Sequence, residues 1–218
     1  MQTSDWAQQF VATKLADVDG SLFKLSRPPG SPPERGAPIR AGAWQATAGR
    51  DARPIYCEVM PTRPSESVWD YPRPPRAETV DLRVVVRHAG LTVVDTRDVV
   101  RVLETSHPPT YYLPRTAFTE GLLTAVDRRT MCEWKGTARY VDLVVPEMTP
   151  LHDIGWWYPT PDSRYPELTD RVALYAGPLD EVTVDGEQVE PQLGGFYGGW
   201  ITTGLVGPFK GSPGTGRW

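Results

Sequence analysis

The run "TVDLRVVVRHAGLTVVDT" (79–96) constrains the fold of this chain more than any other stretch. Its first nine residues alternate apolar and polar side chains before filling in with valine. A period of two suits a strand with one buried face and does not suit a helix. "HAG" interrupts the pattern with Gly90 in a hairpin-like turn, and "LTVVDT" resumes it. "VVRVLE" (99–104), "TARYVDLVV" (137–145), "RVALYA" (171–176) and "EVTVDG" (181–186) repeat the strand signature. Between them only "PRTAFTEGLL" (114–123) suits a short helix, starting after Pro114. Short strands at close spacing with few helices predict a mainly β, antiparallel fold.

The first third of the chain reads differently. "DWAQQFVATKLA" (5–16) predicts a short helix capped by Ser4, with Trp6, Phe10 and Leu15 on one face. "SRPPGSPPERGAP" (26–38) is a Pro-rich linker, and residues 39–65 hold strand candidates around "AWQAT" and "IYCEVM". The expected organisation is an N-terminal extension over 1–65 and a β domain over 66–189. A Gly- and aromatic-rich extension, 190–218, is expected to pack on that domain.

Charge and composition remove several function classes. Lys and Arg number 23 against 27 Asp and Glu, a net charge of −4, and no basic run stands out, so a phosphate-tracking surface for nucleic acid is not expected. No apolar window is long enough for a membrane span. The start, "MQTSDWAQQF", lacks the basic and apolar regions of a signal peptide. Two cysteines, Cys57 and Cys132, are too few for a disulfide framework, and a reduced, cytoplasmic protein is the expectation. Three dispersed histidines, His88, His107 and His152, give no metal-ligand spacing. Nucleotide loops and the G-x-S-x-G elbow are missing as well, so neither metal nor cofactor is expected.

Cation usage adds a pointer. The chain has no Asn and only four lysines, Lys14, Lys24, Lys135 and Lys210, against nineteen arginines. Such a skew fits a GC-rich coding background. Where Arg is the default cation, a Lys inside a motif is informative, because Lys is the compact donor whose pKa burial can lower.

Three constellations carry chemistry. "ETSHPPTYYLP" (104–114) follows a strand with a corner stiffened by Pro108 and Pro109, which orients His107. His107 with Glu104 nearby has the makeup of a general acid/base, and equally that of a rigid corner bonded to backbone. Tyr111 and Tyr112 should face opposite ways, one inward and one outward. "CEWKGTARY" (132–140) offers Trp134 as an apolar wall, flanked on the opposite face by Glu133 and Lys135 if this segment is a strand. Gly136 would allow a bulge or close approach of a ligand. Lys135 could bind a carboxylate or phosphate, form a Schiff base or donate a proton, or simply pair with Glu133 at the surface. The stretches "WDYPRPP", "GWWYPTP" and "GGFYGGW" hold rigid aromatic faces suited either to a flat or cyclic ligand or to pinning loops. Two echoes, W-x-Y-P-x-P at 69–74 and 156–161 and aromatic-Lys-Gly at 134–136 and 209–211, hint at internal duplication.

These strings resemble the family called domain of unknown function 427. The match runs from "ESVWDYPRPPR" through "VVDTRDVVRVLETSHPPTYYLP", "LLTAVDRRTMCEWKGTARYVDLVV" and "WWYPTP" to "RVALYAGPLDEVTVDGEQV", roughly 66–189. The tail "GGFYGGWITTGLVGPFKGSPGTGRW" resembles an extension of longer members. The resemblance implies a β-tent, two small antiparallel sheets pinned at one edge and splayed at the other, with one or two short helices and long loops. Similar tents occur in the thalidomide-binding domain of cereblon and in methionine sulfoxide reductases of the B type, many of which hold a zinc between cysteine pairs that this chain lacks. The open side would place His107, Tyr112, Trp134, Lys135 and Trp157 at a pocket. A nucleotidyltransferase label attached to the family finds no phosphate-cradling loop here.

The functional expectation is a cofactor-independent enzyme acting by acid–base chemistry on a small, partly apolar or cyclic metabolite. His107 would carry the proton, Glu133 and Glu104 would act as base or orienter, and Lys135 would stabilise developing negative charge. Tyr112, Trp134, Trp157, Tyr71, Tyr140 and Trp200 would shape the pocket. The rival expectation is a non-catalytic module holding a cyclic ligand in an aromatic cage. Expected partners are a small-molecule ligand or substrate, no nucleic acid and no membrane, with a homodimer left open.

Overall fold

The computed structural model describes residues 64–215. The helix, linker and strands expected before Pro64 lie outside the described residues. Thirteen strands follow in order: β1 (Glu66–Ser67), β2 (Arg76–His88), β3 (Leu91–Leu103), β4 (Thr110–Pro114), β5 (Leu123–Cys132), β6 (Gly136–Leu143) and β7 (Leu151–Trp157). Then come β8 (Arg171–Leu174), β9 (Glu181–Val184), β10 (Glu187–Gln188), β11 (Glu190–Pro191), β12 (Trp200–Ile201) and β13 (Leu205–Val206). The helices are single 3-10 turns at Val68–Asp70, Arg115–Ala117 and Pro166–Leu168. The fold is mainly β, as the alternation predicts. The helix expected over 114–123 shrinks to the turn at 115–117, because Thr119 is drawn off to bond Val93 and Thr92 of β3.

Nine strands form one hydrogen-bonded sheet in the order β10-β9-β2-β3-β4-β8-β7-β6-β5. It consists of two antiparallel parts, the meander β2–β4 with β9 and β10 added on the outer side of β2, and the meander β5–β8, joined where β4 meets β8 through Tyr112–Ala173, Leu113–Val172 and Pro114–Arg171. That narrow seam matches the expectation of two small antiparallel sheets pinned along one edge. The expected strands at 91–96 and 99–104 are one strand: Asp98 pairs with Asp81 of β2, and Arg97 lies in the register shift between the Asp81–Asp98 and Val84–Thr96 pairs without ending the strand. No helix among the described residues is long and apolar enough to cross a membrane.

Alternation distributes side chains to two cores. Val99, Tyr111, Leu113, Trp157, Val172 and Leu174 enter or pack against a large aliphatic core on one face. Their neighbours Val100, Tyr112, Trp156 and Ala173 enter an aromatic core on the other. Tyr111 and Tyr112 do take opposite faces, yet both are buried, because both faces of the sheet are covered here. A third, small cluster of Val68, Tyr71 and Leu103 packs with Leu205 and Phe209 beside the β1–β13 pairing.

The segment 190–210 wraps the corner after β3. β11 pairs with β12, and the backbone N–H groups of Trp200 and Lys210 donate to the carbonyls of Pro109 (2.9 Å) and Ser106 (2.8 Å). The stiff corner and the C-terminal segment therefore hold one another.

Candidate functional site

Registers across the seam align one residue from each of six strands. Val100 pairs with Tyr112, Tyr112 with Ala173, Ala173 with Trp156, Trp156 with Tyr140, and Tyr140 with Val126. Because paired residues share a face, these six form a continuous lateral row on the aromatic side of the sheet. Three members of the row, Tyr112, Trp156 and Tyr140, line a cavity of about 250 Å³. Within it the Tyr112 hydroxyl accepts from Trp156 Nε1 (3.2 Å) and also bonds Tyr158, which reaches Cys132. Burial pushes the hydroxyls of Tyr112 and Tyr158 up, so both stay protonated at neutral pH.

The walls come from turns. Residues 133–135 are not a strand but the tip of the β5–β6 hairpin, closed by Cys132–Gly136 pairing. Gly136, the strand residue on which the tip closes, has φ of +97°, a left-handed backbone that favours glycine. Asp162 N–H donates to Lys135 O (3.1 Å) and Arg164 Nη2 to Trp134 O (3.3 Å), docking the tip on the 159–165 loop. As a result Glu133, Trp134 and Lys135 all line the cavity, where a strand would have split them between faces. Opposite stands the loop 194–199. Gly198 lies so near the Trp156 ring that a Cβ there would sit 2.2 Å from it, so only glycine allows that approach.

His107 is held at the corner of the cavity with 8% of its surface exposed. Its N–H turns back to Glu104 O (3.0 Å), and Ser106 before it has φ of +69°. The ring meets Tyr197 edge-on at 4.5 Å. Gln192 fixes its chemistry. The Gln192 Oε1 accepts from Gly199 N–H (3.0 Å), so Nε2 is the side that donates, to Lys210 O (2.8 Å) and to His107 Nδ1 (3.1 Å). Nδ1 therefore accepts, and the neutral ring carries its proton on Nε2. Burial lowers the His107 pKa to about 4, with repulsion from Lys210, Lys135 and Arg73 adding to it. At neutral pH His107 is an uncharged hydrogen-bond donor.

The carboxylates are engaged elsewhere. Arg73 stands 3.7 Å from Glu104 and 3.6 Å from Glu133, bridging the two. The partner expected for His107, Glu104, is thus on Arg73, and Gln192 takes its place. The amide can be tested directly. Gln192→Glu puts a carboxylate against Nδ1 and should raise the His107 pKa by at least about one unit. Following the imidazole Cε1–H by NMR across pH 3–8 reads that shift, and an unmoved titration would refute the assignment.

Of the residues singled out from sequence, Glu104, His107, Tyr112, Glu133, Trp134, Lys135 and Tyr140 converge on this cavity. Three do not reach it. Tyr71 lies in the small cluster by β1 and donates to Glu66 Oε2 (2.7 Å). Trp157 is one residue out of phase with Trp156 and faces the aliphatic core under Arg115, 4.5 Å from its ring. Trp200 is fully buried in that core, stacked on Tyr111. The cavity instead uses Trp156, Tyr158, Tyr197, Gln192 and Lys210. The aromatic-Lys-Gly echo and the scarcity of lysine were the signals for Lys210, and both lysines among the described residues, Lys135 and Lys210, line the same cavity. Nothing in the sequence marks Gln192. Among the described residues no group of three His, Cys, Asp or Glu is placed to hold a metal ion.

A family model described as "Domain of unknown function (DUF427)" matches residues 76–185, from β2 to just past β9. Arg73, Gln192, Tyr197 and Lys210 lie outside that match, so the side-chain hydrogen-bond partner of His107 and two of the three cations acting on it come from flanking segments. No curated protein matches the chain.

Proposed function

The chain belongs to the DUF427 family, whose description names no activity, and from the cavity we propose that it binds a small ring-bearing metabolite. The observation that carries this reading is the six-strand row, whose Tyr112, Trp156 and Tyr140 give an aromatic surface with its polar tips already paired or peripheral. Stacking needs such a face, and His107 and Lys135 at its rim would orient a polar substituent. At about 250 Å³ the cavity falls below the ~300–1,000 Å³ of drug-sized sites, which limits the ligand to one ring with short substituents.

A specific arrangement favours a second reading, acid–base catalysis on that ligand. A neutral His107 with its proton on Nε2 is suited to donate to a carbonyl oxygen, and Glu104 and Glu133 are carboxylates at the same cavity. One of them would take a proton from the carbon next to the carbonyl while His107 holds the developing oxyanion. His107 would then be the electrophilic donor, and a carboxylate would carry the proton.

The test is a thermal-shift screen of cyclic and acyclic metabolites, with mass spectrometry on every stabilising compound. Thr110→Trp, which adds a ring to a cavity-lining position on β4, serves as the blocked form. Ring compounds at ~100 times Kd should stabilise the wild type by about 2.7 kcal/mol and leave Thr110→Trp unmoved. Stabilisation by acyclic compounds alone, or equally of both proteins, would sink the binding reading. A product formed by wild type and not by His107→Asn would select the catalytic one.

A further inference from the structure

Lys135 is the least explained charge in the described residues. Only 9% of its surface is exposed, and among the described residues its side chain has no ion pair and no hydrogen bond. The two carboxylates at the cavity do not serve it, because both are on Arg73. Nor can the hairpin tip swing it into solvent, since the Asp162 and Arg164 contacts fasten the backbone on either side of its Cα. Beside it the indole N–H of Trp134 is also buried without an acceptor. Adjacent residues of one fixed turn thus carry a buried indole N–H without an acceptor and a cation on a largely buried stem without a counter-ion.

Shielding a cation's stem and part of its hydration from water without supplying a counter-ion carries a cost. A ligand that brings a negative charge removes the cost when it binds. We propose that the ligand's polar group is a carboxylate taken by Lys135, so that the ligand class is a small ring carboxylic acid. The ring lies on the Tyr112–Trp156–Tyr140 row, and one carboxylate oxygen faces the His107 Nε2–H. This rests on the ring-binding reading above and adds the charge. A carboxylate fits better than a phosphate for two reasons. Arg73, Lys135 and Lys210 set against Glu104 and Glu133 leave the lining one positive charge in excess, which matches a monoanion, and no helix N-terminus or glycine-rich nest of backbone N–H groups lines the cavity to meet further charge.

The experiment is calorimetric titration of the full chain with paired compounds: benzoate and benzamide, cyclohexanecarboxylate and its amide, phenylacetate and its amide, and phenyl phosphate. At least one acid should bind, with its amide at least ten times weaker. Lys135→Met should lose the acid by at least tenfold and the amide by clearly less, so that the preference for acid disappears, whereas Lys135→Arg should keep it. Free Lys135→Met should melt at or above the wild-type temperature, since an unpaired buried charge has been removed. Amides binding as tightly as acids, Lys135→Met retaining the acid, or phenyl phosphate binding best would overturn the carboxylate assignment and leave ring binding intact. A lower melting point for Lys135→Met would make Lys135 structural and overturn it too. Failure of every ring compound, with acyclic acids binding, would instead overturn the ring reading.

Discussion

Trp200→Ala is expected to destabilise the protein by about 3–5 kcal/mol, the range for removing a large aromatic from a packed core. The side chain is 0% exposed, its ring lies 5.0 Å from that of Tyr111 at an interplanar angle of 19°, and Nε1 donates to Leu174 O (3.0 Å). Alanine leaves a cavity between two strands of the seam and strands a carbonyl on β8. The effect extends beyond stability. Trp200 anchors β12, β12 holds β11, and Gln192 follows directly on β11, so loosening the tryptophan frees the amide that sets the His107 tautomer. Urea unfolding should show a lower midpoint with an unchanged slope. A loss under about 1 kcal/mol would mean that the C-terminal segment only rests on the sheet.

That dependence also explains what the sequence could and could not reveal. Strands that bury one face, such as 79–87, announce themselves by alternation. The strand 123–132 does not, because it is the sheet's edge and carries Asp127, Arg128 and Arg129 in its middle, charges that keep an open edge from pairing with other chains. The strand 151–157 hides for another reason: Gly155 faces the Ala173 carbonyl so closely that a Cβ would sit 2.5 Å from it, which puts a weak strand former in a central strand.

The site was legible as a set of residue types and illegible as a geometry. "WWYPTP" offers two adjacent tryptophans, and which one meets Tyr112 depends on the register of β7 with β6 and β8, a long-range property. "EWKG" gives no local sign that its residues turn rather than extend, and that difference decides whether Trp134 and Lys135 share a cavity. His107 was visible because prolines stiffen its corner. Its partner was not, since Gln192 lies 85 residues away.

Lowering the pH from 6.5 to 4 is expected to remove about 3 kcal/mol of stability through His107 alone. Unfolded, the imidazole takes its proton near its ordinary value of 6.5, but in the folded protein burial and the neighbouring cations delay protonation to about 4. Between those values the unfolded chain binds the extra proton and the folded one does not, so stability falls as pH falls through this window and is fully present above it. A shift of that size at about 1.4 kcal/mol per unit sets the magnitude. Other shifted groups act outside the window. Asp95, Asp127 and Asp162 are held below the usual carboxylate range by hydrogen bonds from Arg83, Arg129 and Arg164, so they lose their charge at more acid pH. His107→Asn isolates the effect: its side-chain oxygen can still accept from Gln192, and it cannot take up a proton in this range. Urea midpoints measured from pH 4 to 7.5 should slope steeply for wild type and run nearly flat between 4 and 6.5 for His107→Asn. Parallel slopes for the two proteins would show that the imidazole protonates as easily folded as unfolded, and the neutral-donor role argued for it at the cavity would fall with that result.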